Sequence, residues 1–225
     1  MIERSLGHIT KMLNGTLSDP SSENIIIKGV STDSRTITEG NLYIPLIGDV
    51  FDGRIFIKEC EDKGANAFII DEDFEINKNV SIPYINVKDT GAALRDLSSA
   101  YRDELDVKIV GITGSNGKTT TKDLLHSVLS QKYKVEKTIG NLNNEIGVPK
   151  TILSLDEDTD IGIIELGTDN FGDISLTSKI AKPHIATILN IGDSHLHNLK
   201  SKEGIAKAKM EIVEGLSPDG TFIYN

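Results

Sequence analysis

The stretch Val107-Lys108-Ile109-Val110-Gly111-Ile112-Thr113-Gly114-Ser115-Asn116-Gly117-Lys118-Thr119-Thr120-Thr121-Lys122 constrains the chain more than any other. A β-branched run enters a glycine-rich loop. The loop ends in Gly-Lys-Thr and opens a helical pattern that reaches about Gln131. Strand, loop and helix in that order make a phosphate cradle. Glycines let backbone N–H groups converge on one anion without Cβ interference. The helix N-terminus adds free donors and the positive end of its dipole. Gly114, Ser115, Asn116, Gly117, Lys118, Thr119 and Thr120 are therefore the expected nucleotide-phosphate contacts. Lys118 would neutralise the outer phosphates, and the Thr119 hydroxyl would sit on Mg²⁺. The common pattern G-x-x-x-x-G-K-[ST] places glycine where this chain has Ile112. The plain alternative is a glycine-rich turn before a helix; strand, loop, Lys-Thr and helix occurring in order favour the cradle.

The rest of the chain alternates between strand and helix patterns, which predicts an α/β fold. Residues 1 to about 15 read as one amphipathic helix with Ile2, Leu6, Ile9 and Met12 on one face. Strands are expected at 25–30, 41–45, 65–70 and 82–87, helices at 56–63 and 90–102, and an acidic surface turn at 71–81. Asp103-Glu104-Leu105-Asp106 marks a boundary between a domain at 1–103 and a mostly parallel P-loop-type domain at 104–225. In the second, strands are expected at 134–137, 160–167 and 184–189, and helices at 150–155, 173–181 and from Ser201 to about Leu216. A strand beginning at Gly220 is followed by no helix, so the chain is expected to be a piece of a longer protein.

Composition narrows the class. Hydrophobic residues make up 38% and charged residues 26%, as in ordinary globular domains. A formal net charge of −10 and a pI near 5.0 argue against nucleic-acid or anionic-membrane surfaces. The single Cys60 permits no internal disulfide and is read as a core filler. No apolar run reaches the roughly 18 residues a membrane span needs, so a cytoplasmic protein is expected.

Two residues fall at the carboxyl ends of predicted parallel strands, where such sheets bind ligands. Glu165 closes the 160–167 strand beside the phosphate loop, and an acid there can hold Mg²⁺. A strand-terminal surface acid is the plainer alternative. His195 follows Asn190-Ile191-Gly192-Asp193-Ser194 and is a candidate catalytic or metal-binding residue. His126 and His197 have no such positional support. Ser31-Thr32-Asp33-Ser34-Arg35 is either a polar turn or a binding loop.

Taken together, several motifs resemble the bacterial Mur ligases. They are G-S-N-G-K-T-T-T-K at 114–122, G-N-L-N-N-E-I-G-V-P at 140–149, E-L-G at 165–167, N-I-G-D-S-H at 190–195 and K-E-G-I-A-K-A-K-M-E-I at 202–212. The 31–35 and 45–54 stretches resemble the family's N-terminal uridine-nucleotide-binding domain, which implies Ser34, Arg35 and Gly48 as substrate contacts. N-N-E-I-G-V-P and E-G-I-A-K-A-K favour the branch that adds D-Ala-D-Ala to UDP-MurNAc-tripeptide in peptidoglycan precursor synthesis. The resemblance implies ATP and Mg²⁺ as cofactors and an acyl-phosphate intermediate. It implies Asn141, Asn143 and Asn144 along the cleft between domains. It implies one Mg²⁺ on Thr119 and Glu165 and a second held with the help of His195. It further implies that Lys209 is the family's carbamylated lysine, with a metal-facing and catalytic role. Lys207 and Lys209 lie two apart on one helix and must face different ways; burial near Lys118 should depress the Lys209 pKa and favour the neutral amine that takes up CO₂. The family's third domain is missing here, so this piece alone is expected to be inactive; a monomer is expected. Departures are Thr168 after E-L-G and Arg54 where many members have His. The alternatives are a folylpolyglutamate-synthase-like or cyanophycin-type ligase, or a nucleotide-binding module without ligase chemistry.

Overall fold

Ser5 sets how the chain begins. In the computed structural model, which describes residues 1–225 apart from Asp49, Glu72, Asp73, Asn77, Ser194, His195 and the side chain of Leu196, the single N-terminal helix expected from periodicity is two elements. Glu3–Ser5 is strand β1 and Leu6–Met12 is helix α1. The Ser5 hydroxyl accepts the His8 N–H at 3.3 Å, an N-cap that stops the helix from extending back. Ile2, Leu6 and Ile9 are buried all the same, because strand and helix turn them to one side.

The chain separates into two units, Met1–Tyr101 and Arg102–Asn225. In the first, β1 pairs antiparallel with β3 (Ile26–Lys28). A second sheet contains β2 (Thr16–Leu17), β4 (Val30–Ser31), β5 (Leu42–Tyr43), β6 (Ala67–Asp71) and β7 (Tyr84–Val87) in the order β2-β7-β6-β5-β4. Only β2 runs antiparallel there. Helices α2 (Ile57–Asp62) and α3 (Thr90–Glu104) follow β5 and β7. Tyr43, Ile57, Cys60, Phe68 and Ile70 form a core cluster. Burial pushes the Cys60 thiol up to about 12, as suits an inert core group. The 71–81 stretch is not simply an acidic surface turn. Among its described residues, Phe74, Ile76 and Val80 are half-buried and pack against that cluster.

The second unit is a five-stranded, wholly parallel sheet of β8 (Lys108–Thr113), β9 (Val135–Lys137), β10 (Ile161–Glu165), β11 (Ile185–Ile188) and β12 (Thr221–Tyr224). The order is β12-β11-β8-β10-β9. Connections leave central β8 toward both edges, so the carboxyl end of β8 is where such a sheet takes a ligand. Helices α4 (Lys118–Leu129), α5 (Gly147–Ser154), α6 (Asp173–Ala181), α7 (Leu196–Leu199) and α8 (Lys202–Met210) link the strands. α5 starts three residues earlier than the pattern suggested. Asn144 Oδ1 accepts the Gly147 N–H at 2.9 Å, and Pro149 is tolerated in the first turn, where its missing N–H is not needed. The helix expected from Ser201 to Leu216 tightens into a 3₁₀ segment at Glu211–Gly215. There the Ser178 hydroxyl donates to the Ile212 carbonyl at 2.6 Å.

Candidate active site

Ile112 explains its own departure from the common pattern. It is strand, not loop: it pairs with Glu165 on β10 and Thr187 on β11, and its side chain is fully buried. The turn begins only at Gly114, where an added Cβ would stand 3.0 Å from Leu189 Cβ. Gly117 then adopts φ 80°, a left-handed conformation open to glycine. It occupies the N-cap of α4 and offers no side-chain cap, so the first-turn N–H groups are left for a ligand.

The loop is braced from the next strand's exit. Asn190 accepts the Asn116 N–H through Oδ1 and returns its amide to the Asn116 carbonyl, both at 3.0 Å. The Ser115 hydroxyl donates to the Gly192 carbonyl at 3.1 Å and accepts the Gly192 N–H at 2.9 Å. Ser115 is thus engaged within the protein, while Asn116 and Thr120 are exposed. Lys118 folds back over the loop, its Nζ donating to the Gly114 carbonyl at 2.9 Å.

Glu165 is only 3% exposed, which excludes the surface-acid alternative. Its Oε2 accepts the Thr119 hydroxyl at 3.1 Å, and its Oε1 accepts the Asn143 amide at 2.8 Å. Among the described residues no three His, Cys, Asp or Glu side chains converge as a metal cluster. Mg²⁺ does not need one, because it keeps several waters and takes one or two protein oxygens besides phosphate. The converging Thr119 hydroxyl and Glu165 carboxylate are donors of that kind and number, so the residues present fit the ion. His195 lies outside the described residues.

Lys209 is 2% exposed and its Nζ makes no hydrogen bond or ion pair among the described residues, whereas Lys207 on the same helix is exposed with its Nζ 5.9 Å from the Phe171 ring centre. Burial, and then the charge of Lys118, lower the Lys209 ammonium to about 8. Lys118 and Lys209 line one cavity of about 280 Å³, together with Asn143, Asn144, Gly167 and Asp169. Asn143 reaches this cavity while holding Glu165. Asn144 has committed its Oδ1 to α5, and Asn141 is exposed.

In the first unit, the Arg35 side chain is 85% exposed and held by Asp33, with Nη2 2.6 Å from Oδ2. Ser34 is buried, its carbonyl accepting from Lys63 Nζ at 2.8 Å. Gly48 lies in an exposed turn closed by its N–H to the Phe51 carbonyl at 2.8 Å. Arg54 is spoken for: it pairs with Asp52 at 2.8 Å and Asp71 at 2.9 Å and lies 4.6 Å over the Phe74 ring.

Sequence reasoning gave no role to Lys122 or Asn190. Lys122 is 2% exposed, with Nζ 3.8 Å from Glu165 Oε2. The available signal was its i+3 spacing from Thr119, which puts both on one helix face.

The profile of the Mur ligase middle domain matches residues 112–225, and that of the Mur ligase family catalytic domain matches residues 26–102. UDP-N-acetylmuramoyl-tripeptide–D-alanyl-D-alanine ligase of Bacillus subtilis is 46% identical over 224 residues, covering 100% of this chain and 49% of the relative. The crystal structure of MurF from Acinetobacter baumannii superposes with a TM-score of 0.91 at 34% identity, over 100% of this chain and 49% of that one. MurF ligase from Thermotoga maritima in complex with ADP gives a TM-score of 0.78 at 33% identity, over 88% and 45%. The chain spans about half the length of the curated relatives it matches. With profiles covering both of its units and this site at the sheet edge, the chain belongs to the Mur ligase family.

Proposed function

We propose that the protein serves ATP-dependent amide-bond formation in peptidoglycan precursor synthesis, joining D-Ala-D-Ala to UDP-MurNAc-tripeptide. The observation that carries this reading is the meeting, at one sheet edge, of the Gly114–Thr119 loop, the Thr119–Glu165 pair and the buried Lys209. A free carboxylate is a poor acylating agent. Its oxygen attacks the γ-phosphorus of ATP, ADP departs, and an acyl phosphate results. The dipeptide amine then forms the amide as the C–O bond breaks and phosphate leaves. The loop amides and Lys118 hold the phosphates and offset the charge that develops during transfer. Mg²⁺, held by Thr119 and Glu165, supplies further charge neutralisation when bound.

Lys209 fits the role of a carbamylated lysine. Its neutral amine adds to CO₂, forming an N–C bond and releasing a proton. The product is an anion with oxygens that suit Mg²⁺, on the cavity that Lys118 also lines. The exposed Arg35 and the 31–35 and 45–54 loops are proposed to receive the uridine nucleotide. The sequence likeness and the fold favour this branch over a folylpolyglutamate-synthase-like ligase.

The test is phosphate release by a protein of the relatives' full length, with each substrate omitted in turn. Release should require ATP, UDP-MurNAc-tripeptide and D-Ala-D-Ala together, and Lys118→Ala should lower it by about 10²-fold or more. Slow hydrolysis indifferent to both peptide substrates would mark a nucleotide-binding module instead.

A further inference from the structure

One buried charge at the site has no task in the reaction proposed above. Lys122 projects from α4 one turn beyond Lys118 and is 2% exposed. Its Nζ donates to the Gly140 carbonyl at 3.2 Å and stands 3.8 Å from Glu165 Oε2. That same oxygen accepts the Thr119 hydroxyl, and the other Glu165 oxygen accepts Asn143. A buried carboxylate and a buried ammonium are each costly alone, and each here meets the other's charge. Gly140 lies in the 138–146 loop that carries Asn143 and Asn144 toward α5. The Lys122–Gly140 bond therefore fastens that loop to the helix that carries Lys118 and Thr119.

We propose that Lys122 is a positioning residue for the divalent cation that accompanies the nucleotide. It acts as the resident counter-charge of Glu165 and as the tie between α4 and the 138–146 loop. The Thr119–Glu165 donor pair is thus set before a cation arrives. The inference rests on the nucleotide reading above and adds to it a residue that touches neither nucleotide nor cation. Losing such an outer partner typically costs about 10- to 100-fold in metal affinity.

The experiment is calorimetric titration of ADP into the 225-residue chain and its Lys122→Met variant, each with and without Mg²⁺. Without Mg²⁺ the two should bind ADP about equally, because the loop and Lys118 are intact. The gain in affinity on adding Mg²⁺ should fall by about tenfold or more in the variant. An undiminished gain would overturn the role of Lys122 and leave the nucleotide reading standing. No ADP binding by the unaltered chain under either condition would overturn both. Thermal unfolding of Lys122→Met, Glu165→Gln and the double variant supplies the second readout. Each single change leaves one buried charge unmet, so the double variant should unfold at a higher temperature than either single. Additive losses, or a double variant that fails to fold as Lys122→Met does, would show that Lys122 only fills space and would overturn the proposal.

Discussion

Two lysines with different environments face the same cavity, and their difference is chemical. Lys118 is half-buried and satisfied by a loop carbonyl, whereas Lys209 is buried without a partner among the described residues. Burial lowers Lys209 from 10.5 to about 8. Below the folded value both the folded and unfolded chains carry the proton, and the folded state bears the full cost of a buried ammonium. That cost is about 3 kcal/mol for a shift of this size. Between about 8 and 10.5 the folded lysine is already neutral while the unfolded one still holds its proton, so stability rises with pH; above 10.5 the penalty is gone. In CO₂-free buffer, the stability of the protein relative to Lys209→Met should therefore climb by about 3 kcal/mol between about pH 7 and about pH 11 in denaturant titrations. A difference that stays flat with pH would contradict the burial account. At this scale Lys118, Thr119 and Glu165 were legible, because motif spacing and strand ends place them. Lys209 was legible only through family resemblance, since helical period separates it from Lys207 without saying which one is buried. Lys122 was not legible, because its charge suggests solvent and only the tertiary pairing with Glu165 explains its burial.

Among the elements, α8 carries Lys209 to the site, and its first turn fixes where the helix begins. The Ser201 hydroxyl accepts the Gly204 N–H at 3.1 Å, while Ile205 and Ala208 anchor the inner face. Ser201→Ala should cost about 1 kcal/mol of stability and lower the unfolding midpoint. A midpoint unchanged from the parent would show that packing alone sets the start of α8. Hydrophobic period and caps made this helix readable, and likewise α6, whose bounds at Asp173 and Ala181 match the pattern. The N-terminal segment misled, because Ile2, Leu6 and Ile9 suit one helix face, yet the capping Ser5 and the pairing of Glu3–Ser5 with Ile26–Lys28 divide it. Local pattern could not reveal a strand whose partner lies more than twenty residues away in sequence. The 3₁₀ ending of α8 was hidden for the same reason, since it depends on Ser178 from another helix.

For the whole molecule, alternation of strands and helices pointed to the α/β class, and the wholly parallel order of the second sheet puts loop, acid and lysine at one edge. The order of strands was not readable from the chain, because crossovers are chosen by packing between distant elements. The central claim is chemical: a carboxylate oxygen passes to phosphate during ligation. It is tested most directly by isotope transfer in a protein of the relatives' full length. UDP-MurNAc-tripeptide labelled with ¹⁸O in its reacting carboxylate is ligated with D-Ala-D-Ala and ATP, and the released phosphate is examined by mass spectrometry. The account predicts one labelled oxygen in each phosphate, because the oxygen that attacked phosphorus leaves with it when the amine adds. Phosphate released without label while pentapeptide accumulates would contradict the acyl-phosphate route.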